Sequence, residues 1–111
     1  MDNVKPYAQV IEDVLHQYAS VPYAQDGLQQ EVIIDREGNH YLLMTVGWQN
    51  RRRVHTCVIH IDIIDGKVWI QDDGTEKGIG NLLVEAGIPR EHIVLAFHPE
   101  SQRQYTEFAV N

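Results

Sequence analysis

Apolar positions near the start of the chain recur every three or four residues. Val4, Tyr7, Ala8, Ile11, Val14, Leu15 and Tyr18 share one helical face and predict a helix over residues 3–20. Asp2 or Asn3 can cap it, and Pro6 is tolerable because it lies in the first turn. Ser20-Val21-Pro22 ends it, and residues 22–29, which have no period, read as a connection. From about residue 30 the period changes to two. Val32-Ile33-Ile34, Tyr41 to Trp48, Arg52 to Ile64 and Lys67 to Asp72 read as four strands of an antiparallel meander. Asp35-Arg36-Glu37-Gly38 suits a type I turn with Gly in the left-handed position, a common three-residue hairpin loop. Asp65-Gly66 is the strongest hairpin signal in the chain.

The hairpins set a register. A two-residue Asp65-Gly66 loop places Ile63 opposite Val68 and Ile61 opposite Ile70. A two-residue Asn50-Arg51 loop places Val46 opposite His55, Met44 opposite Cys57 and Leu42 opposite Ile59. The three-residue first loop puts Val32 beside Leu42. These choices collect the aliphatic residues on one face, and a slip of one residue would move a whole set to the other. The second face then carries Tyr41, Leu43, Val54, Val58, Ile64 and Trp69, interleaved with Thr45, Thr56, His60, Asp62 and Lys67. That is rather apolar for a face left in water.

After the strands, Thr75 to Ala86 predicts a second helix, with Thr75 as cap candidate and Ile79, Leu82, Leu83 and Ala86 on its apolar side. Gly87 is a C-cap, and Pro89 follows. Ile93 to Phe97 is a short strand-like run, and residues 100–109 can form a short terminal helix carrying Tyr105 and Phe108. The expected fold class is α+β: an N-terminal helix, a four-stranded antiparallel meander with helices on one face, a second helix, and a short C-terminal strand/helix segment. With 111 residues and no linker or repeat, one domain over 1–111 is expected.

Two helices cover only one face of such a sheet. The other face is then an exposed patch of the kind that marks an interface, unless the terminal segment, with Tyr105 and Phe108, folds over it. Tyr41, Leu43, Val58, His60 and Trp69 are the candidate binding residues there. The same face and the sheet edges predict a homodimer.

Charge narrows the partners. Nine Lys plus Arg against sixteen Asp plus Glu leave a net charge of −7, so the chain is a poor autonomous binder of phosphate backbones. A basic protein suits it better. Arg51-Arg52-Arg53 is the local exception; it reads as a solvated loop tip, with an anion or nucleic-acid contact as the alternative. Any DNA contact is expected to be weak or indirect. The single cysteine, Cys57, lies on a strand and reads as a small buried hydrophobe rather than a nucleophile. The opening Met1-Asp2-Asn3-Val4-Lys5 lacks the order of a secretory signal, and no apolar run approaches the roughly 20 residues that span a bilayer. A soluble cytoplasmic protein without membrane contact is expected.

Six histidines are present, yet none stands at a recognised metal-ligand spacing. His60 and Asp62 point the same way on one strand, and Gln71 should sit opposite His60. That trio can act as a half-exposed polar ladder, or with Trp69 as a wall it can hold a small ligand or move a proton. His40 belongs to a turn. Asp72, Asp73 and Glu76 cluster at a strand end, where capping explains them more simply than a divalent cation. Gly78-Ile79-Gly80 lacks the context of a phosphate loop, and no serine sits in a nucleophile elbow. No catalytic residue, metal or cofactor is expected, and the chain does not read as an enzyme. Trp48 and Arg53 fall opposite each other and can form a structural cation–π pair.

The order of motifs carries a resemblance. Gly47-Trp48, Arg53-Val54-His55, His60-Ile61-Asp62-Ile63 and Gly66-Lys67-Val68-Trp69-Ile70-Gln71 come in sequence. Thr75-Glu76 with Gly78-Ile79, Ala86-Gly87-Ile88-Pro89, Ile93-Val94-Leu95-Ala96-Phe97-His98 and Tyr105-Thr106-Glu107-Phe108-Ala109-Val110 complete it. Over essentially the whole chain this resembles the XisI family, the fdxN-element excision controlling factors of cyanobacteria. Each piece is weak alone, and the ordered set is specific. The resemblance implies a role rather than a reaction. In heterocyst differentiation a recombinase removes the fdxN element from the chromosome, and XisI-type proteins with a XisH-type partner are accessory factors that control it. A XisH-type protein is therefore the expected partner, with the recombinase as a second candidate. The family has many members outside that locus and transfers no catalytic motif to numbered positions here.

Overall fold

The computed structural model describes residues 6–20 and 27–111. The first helix, α1, spans Tyr7–Ala19, with Pro6 at its N-cap (φ −56°, ψ 148°). Proline there costs nothing, since its missing N–H would lack a helical acceptor anyway. The predicted caps Asp2 and Asn3 and most of the predicted stop lie outside the described residues. Val10, Ile11, Val14 and Leu15 are buried, as their spacing predicts, and so is Glu12.

Four strands follow: β1 (Leu28–Asp35), β2 (His40–Gln49), β3 (Arg52–Ile64) and β4 (Lys67–Asp73). They pair antiparallel in sequence order. Both two-residue hairpins form. Asp65 and Gly66 take φ values of 51° and 78°, the positive pair that matches the twist of the flanking strands. Asn50 likewise sits at φ 60° between the Gln49–Arg52 pair.

The sheet has five strands rather than four. β5 (Ile93–Leu95) adds beside β4 in parallel, through Val68–Ile93, Trp69–Val94 and Ile70–Leu95. The parallel direction follows from the crossover that carries α2 (Ile79–Glu85) between them. α2 is shorter than the predicted 75–86. Asp73, not Thr75, satisfies its first turn: Oδ2 accepts from the Ile79 N–H at 2.9 Å, and Oδ1 accepts from the Thr75 N–H and hydroxyl. Thr75 Oγ1 instead accepts from the Gly78 N–H. A third helix, α3, is limited to Glu100–Arg103, not 100–109. Beyond it Ala109 donates to the Ile93 carbonyl and bridges Val94.

The core lies between one sheet face and helices α1 and α2. Tyr41, Leu43, Ile59, Ile61, Val68 and Ile70 from the sheet meet Ile11, Leu15, Ile79 and Leu83, all fully buried. Phe108 joins this side, against Gly80.

Two local features overturn the expected face of β2. The first loop is one residue longer than predicted, because Asp35 pairs with His40 and Asn39, not Gly38, takes the left-handed φ of 59°. Val32 therefore pairs with Leu43 rather than Leu42. A β-bulge then restores the register. Met44 pairs with Cys57 as predicted, but Leu43 pairs with Ile59, leaving Val58 without an opposite residue. Tyr41 and Leu43 thus enter the core instead of the outer face, and Thr45 goes with them. Val58 sits in the bulge, partly buried against the core, its carbonyl accepting from the Gly74 N–H at 2.7 Å. Burial pushes the Tyr41 hydroxyl above its ordinary 10.0, and it donates to Asn39 Oδ1. Among the described residues no helix is long and apolar enough to cross a membrane.

Candidate functional site

The outer face of the sheet is the candidate site. Its residues follow from the observed register. Ile33, Leu42, Met44, Val46 and Cys57 form its apolar part, and His40, His60, Asp62, Trp69 and Gln71 its polar end. Ile33 is 46% exposed and Trp48, at the hairpin tip, 54%. The terminal segment does not cover this surface. Tyr105 is 83% exposed, and Phe108 packs on the helix side. Arg103 reaches over, 5.6 Å from the Trp69 ring, while its Nε donates to the His98 carbonyl, and the Asn111 carbonyl accepts from Lys67 Nζ at 2.6 Å.

Of the predicted binding residues, His60 and Trp69 lie on this face; Tyr41 and Leu43 do not, and Val58 lies in the bulge. Sequence reasoning placed Leu42, Met44, Val46 and Cys57 on the core face rather than the outer one, because the extra loop residue and the bulge leave no compositional mark.

The arginine loop separates into parts. Arg53 stands 5.4 Å over the Trp48 ring, the expected pair, and Nη1 donates to the Gly47 carbonyl. Arg51 and Arg52 are exposed at the hairpin tip. Cys57 is half-buried, and its thiol donates to the Ile59 carbonyl at 3.4 Å. Burial pushes that thiol above its ordinary 9.0, so it is not an activated nucleophile.

The polar end is tightly built. Asp62 is nearly buried, at 8% exposure. Its Oδ1 accepts from His40 Nδ1 at 2.7 Å and from His60 Nε2 at 3.0 Å. Its Oδ2 accepts from Gln71 Nε2 at 3.2 Å. Trp69 is its cross-strand neighbour. The predicted trio of His60, Asp62 and Gln71 therefore meets, although Gln71 is displaced from its expected pairing. A second bulge causes this: His60 pairs with Asp72 and Ile61 with Ile70, so Gln71 has no opposite residue. His40, expected only in a turn, begins β2 and lies across from Asp62. The two imidazoles meet edge to face, with ring centroids 6.4 Å apart.

Burial pushes the Asp62 carboxyl up, but the two histidines outweigh it and hold it below its ordinary 3.8. The hydrogen bond to Asp62 raises His40 above its ordinary 6.5. Among the described residues, His40, His60 and Asp62 form the group whose donor atoms converge, all within 4.8 Å of one another.

Comparison with known proteins gives this geometry a family. A family model described as XisI protein matches residues 1–110. The chain belongs to the XisI family. The likeness extends to solved structures of XisI proteins. One is a XisI-like protein from Anabaena variabilis ATCC 29413, 41% identical, with a TM-score of 0.87 over 95% of this chain and 96% of that one. Another is the fdxN element excision controlling factor XisI from the same organism, 33% identical, with a TM-score of 0.79 over the same shares. No curated protein matches the chain. In this member of the family, a partly apolar sheet face that no described helix covers lies beside a His–Asp–His cluster whose carboxylate is nearly buried.

Proposed function

We propose that this XisI-family protein is a non-enzymatic accessory factor in the control of site-specific DNA excision, acting through a XisH-type protein partner. The similarity to a protein described as an fdxN element excision controlling factor supports the process. The observation that carries the mode of action is the outer sheet face, where Ile33 and Trp48 stand exposed beside half-buried Leu42, Met44 and Val46. Apolar side chains in this arrangement gain from a partner that removes them from water. The net charge of −7 favours a partner with a basic surface over a nucleic acid.

The alternatives are direct DNA binding as a directionality factor, led by Arg51, Arg52 and Arg53, or a small-ligand-binding or enzyme domain; in the leading reading any DNA contact is weak or indirect. The recombinase is the second candidate partner. Self-association is a further part of the proposal. Among the described residues β1 is a sheet edge, paired with β2, and an edge of this kind invites a second copy. A cytoplasmic location follows from the proposed role in chromosomal excision.

Co-purification with the XisH-type protein, with and without nuclease, tests the partner. A stable nuclease-resistant complex is expected, and its absence in moderate salt contradicts the proposal. Light scattering tests the homodimer, and a monomeric mass at high concentration contradicts it.

A further inference from the structure

Three donor atoms converge where the outer face meets the first hairpin. His40 Nδ1 and His60 Nε2 lie 2.7 and 3.0 Å from Asp62 Oδ1. All three lie within 4.8 Å of one another. His60 and Asp62 stand two apart on β3, a spacing the sequence shows, whereas His40 comes from β2 and nothing in the sequence marks it.

The local backbone is unusual at this point. One bulge falls between Cys57 and Ile59, and the other falls opposite His60 and Ile61. Bulges interrupt the ladder and re-aim side chains, and they concentrate beside functional sites. Here they flank His60 on both sides. Gln71, the residue left over by the second bulge, donates to the far oxygen of Asp62 at 3.2 Å. That fixes the carboxylate plane, as outer partners do for ligating groups.

The chemistry of the set selects its occupant. To ligate a metal both imidazoles must give up the proton on the nitrogen that faces Asp62, and with the Asp62 carboxylate they then present a net negative charge that suits a cation. Calcium and magnesium take oxygen ligands almost throughout, whereas mixed imidazole and carboxylate donors suit the later first-row divalent ions. Zinc binds imidazole and carboxylate at about 2.0–2.2 Å, so donors around a tetrahedral ion stand about 3.3 Å apart. The observed separations from Asp62 need only a small opening to admit one. We propose that His40, His60 and Asp62 form a binding site for a divalent transition-metal ion of the zinc class, with Gln71 positioning Asp62. Three protein ligands leave a coordination position for water or for a side chain brought by a partner. His40 and His60, with side chains 50% and 34% exposed, leave the site open to the outer face.

The test is titration calorimetry with zinc chloride on the full chain carrying no polyhistidine tag, paired with the visible absorption of bound cobalt(II). One equivalent is expected to bind saturably, with cobalt bands of low-symmetry nitrogen and oxygen coordination. His40→Ala and His60→Ala should each weaken binding at least about 10-fold, and Gln71→Ala about 10-fold, in the range of outer-partner losses. His16→Ala and His55→Ala, on exposed histidines outside the cluster, should leave it unchanged. His40 is half-exposed, so its replacement leaves the core intact, and circular dichroism checks each variant's fold. Absence of saturable binding overturns the proposal. So does parent-like affinity in His40→Ala and His60→Ala, which would assign any zinc to scattered surface histidines.

Discussion

Glu12 is the carboxylate that α1 carries into the packed side of the molecule. It is 6% exposed, and Arg36 from the first hairpin loop meets it with both arms, at 2.9 and 2.7 Å. A bidentate guanidinium is the geometry that makes such burial tolerable. These hydrogen bonds hold the Glu12 carboxyl below its ordinary 4.5, although burial pulls the other way. A carboxyl whose folded pKa is depressed stabilises the fold above its unfolded pKa. That contribution is lost as pH falls through the folded value. Arg36→Ala removes the depression, so acid unfolding, followed by circular dichroism, should begin at higher pH than in the parent. An unchanged acid midpoint contradicts this. Gly47 is a second decisive residue. Its φ is 149°, and a Cβ there would stand 1.9 Å from the Gly27 carbonyl oxygen, a backbone atom that cannot swing aside. Gly47→Ala should cost at least about 1–3 kcal/mol, the range for stored backbone strain, visible as a lower Tm.

Among the elements, β2 shows what a sequence does and does not specify. Its existence, its ends and both of its hairpin partners are legible from the apolar period and the turn residues. So are the pairs Val46–His55, Met44–Cys57, Ile61–Ile70 and Ile63–Val68. Which of its faces enters the core is not legible. Leu42-Leu43-Met44 is apolar on both sides, so alternation cannot choose. The choice falls to one extra loop residue at Asn39 and one bulged residue at Val58, and the two offsets compensate. Tyr41 hides the error further, since its hydroxyl suits an outer position in a sequence, while Asn39 satisfies it inside. The His40–His60–Asp62 cluster depended on the same offsets. Its His60, Asp62 and Gln71 were readable from strand period, and His40 was not. The observed facing makes a sharp prediction. Leu43→Ala should destabilise by about 2–5 kcal/mol, as for a buried leucine. Ile33→Ala, on the outer face and 46% exposed, should cost at most about 1 kcal/mol by lost apolar burial. Urea unfolding distinguishes them, and equal costs contradict the assigned faces.

The whole molecule is asymmetric. Helices α1 and α2 close one side of the sheet, and among the described residues no helix covers the other. β4 pairs with β3 only over Ile59–Ile64, so the Arg52–Val58 half of β3 extends past it as a hairpin arm with β2. The Cα radius of gyration, 14.8 Å, exceeds the roughly 13 Å of a compact chain this long, which fits a projecting arm. Trp48 and Arg53 sit near the arm's tip, Met44 along its outer face, and Ile33, level with Leu42 and His60, at its base beside the His–Asp–His cluster. In the proposed function this face is the one that meets the partner. The most direct measurement is co-purification of the chain with the XisH-type protein, after nuclease treatment, for the parent and for an Ile33→Asp, Trp48→Asp double variant. Both changed positions are exposed, so circular dichroism should show the parental fold. The parent should retain the partner and the variant should lose it, while an Arg51→Ala, Arg52→Ala variant retains it. Equal retention by the face variant, or recovery that depends on nuclease-sensitive DNA and on Arg51 and Arg52, would contradict the account.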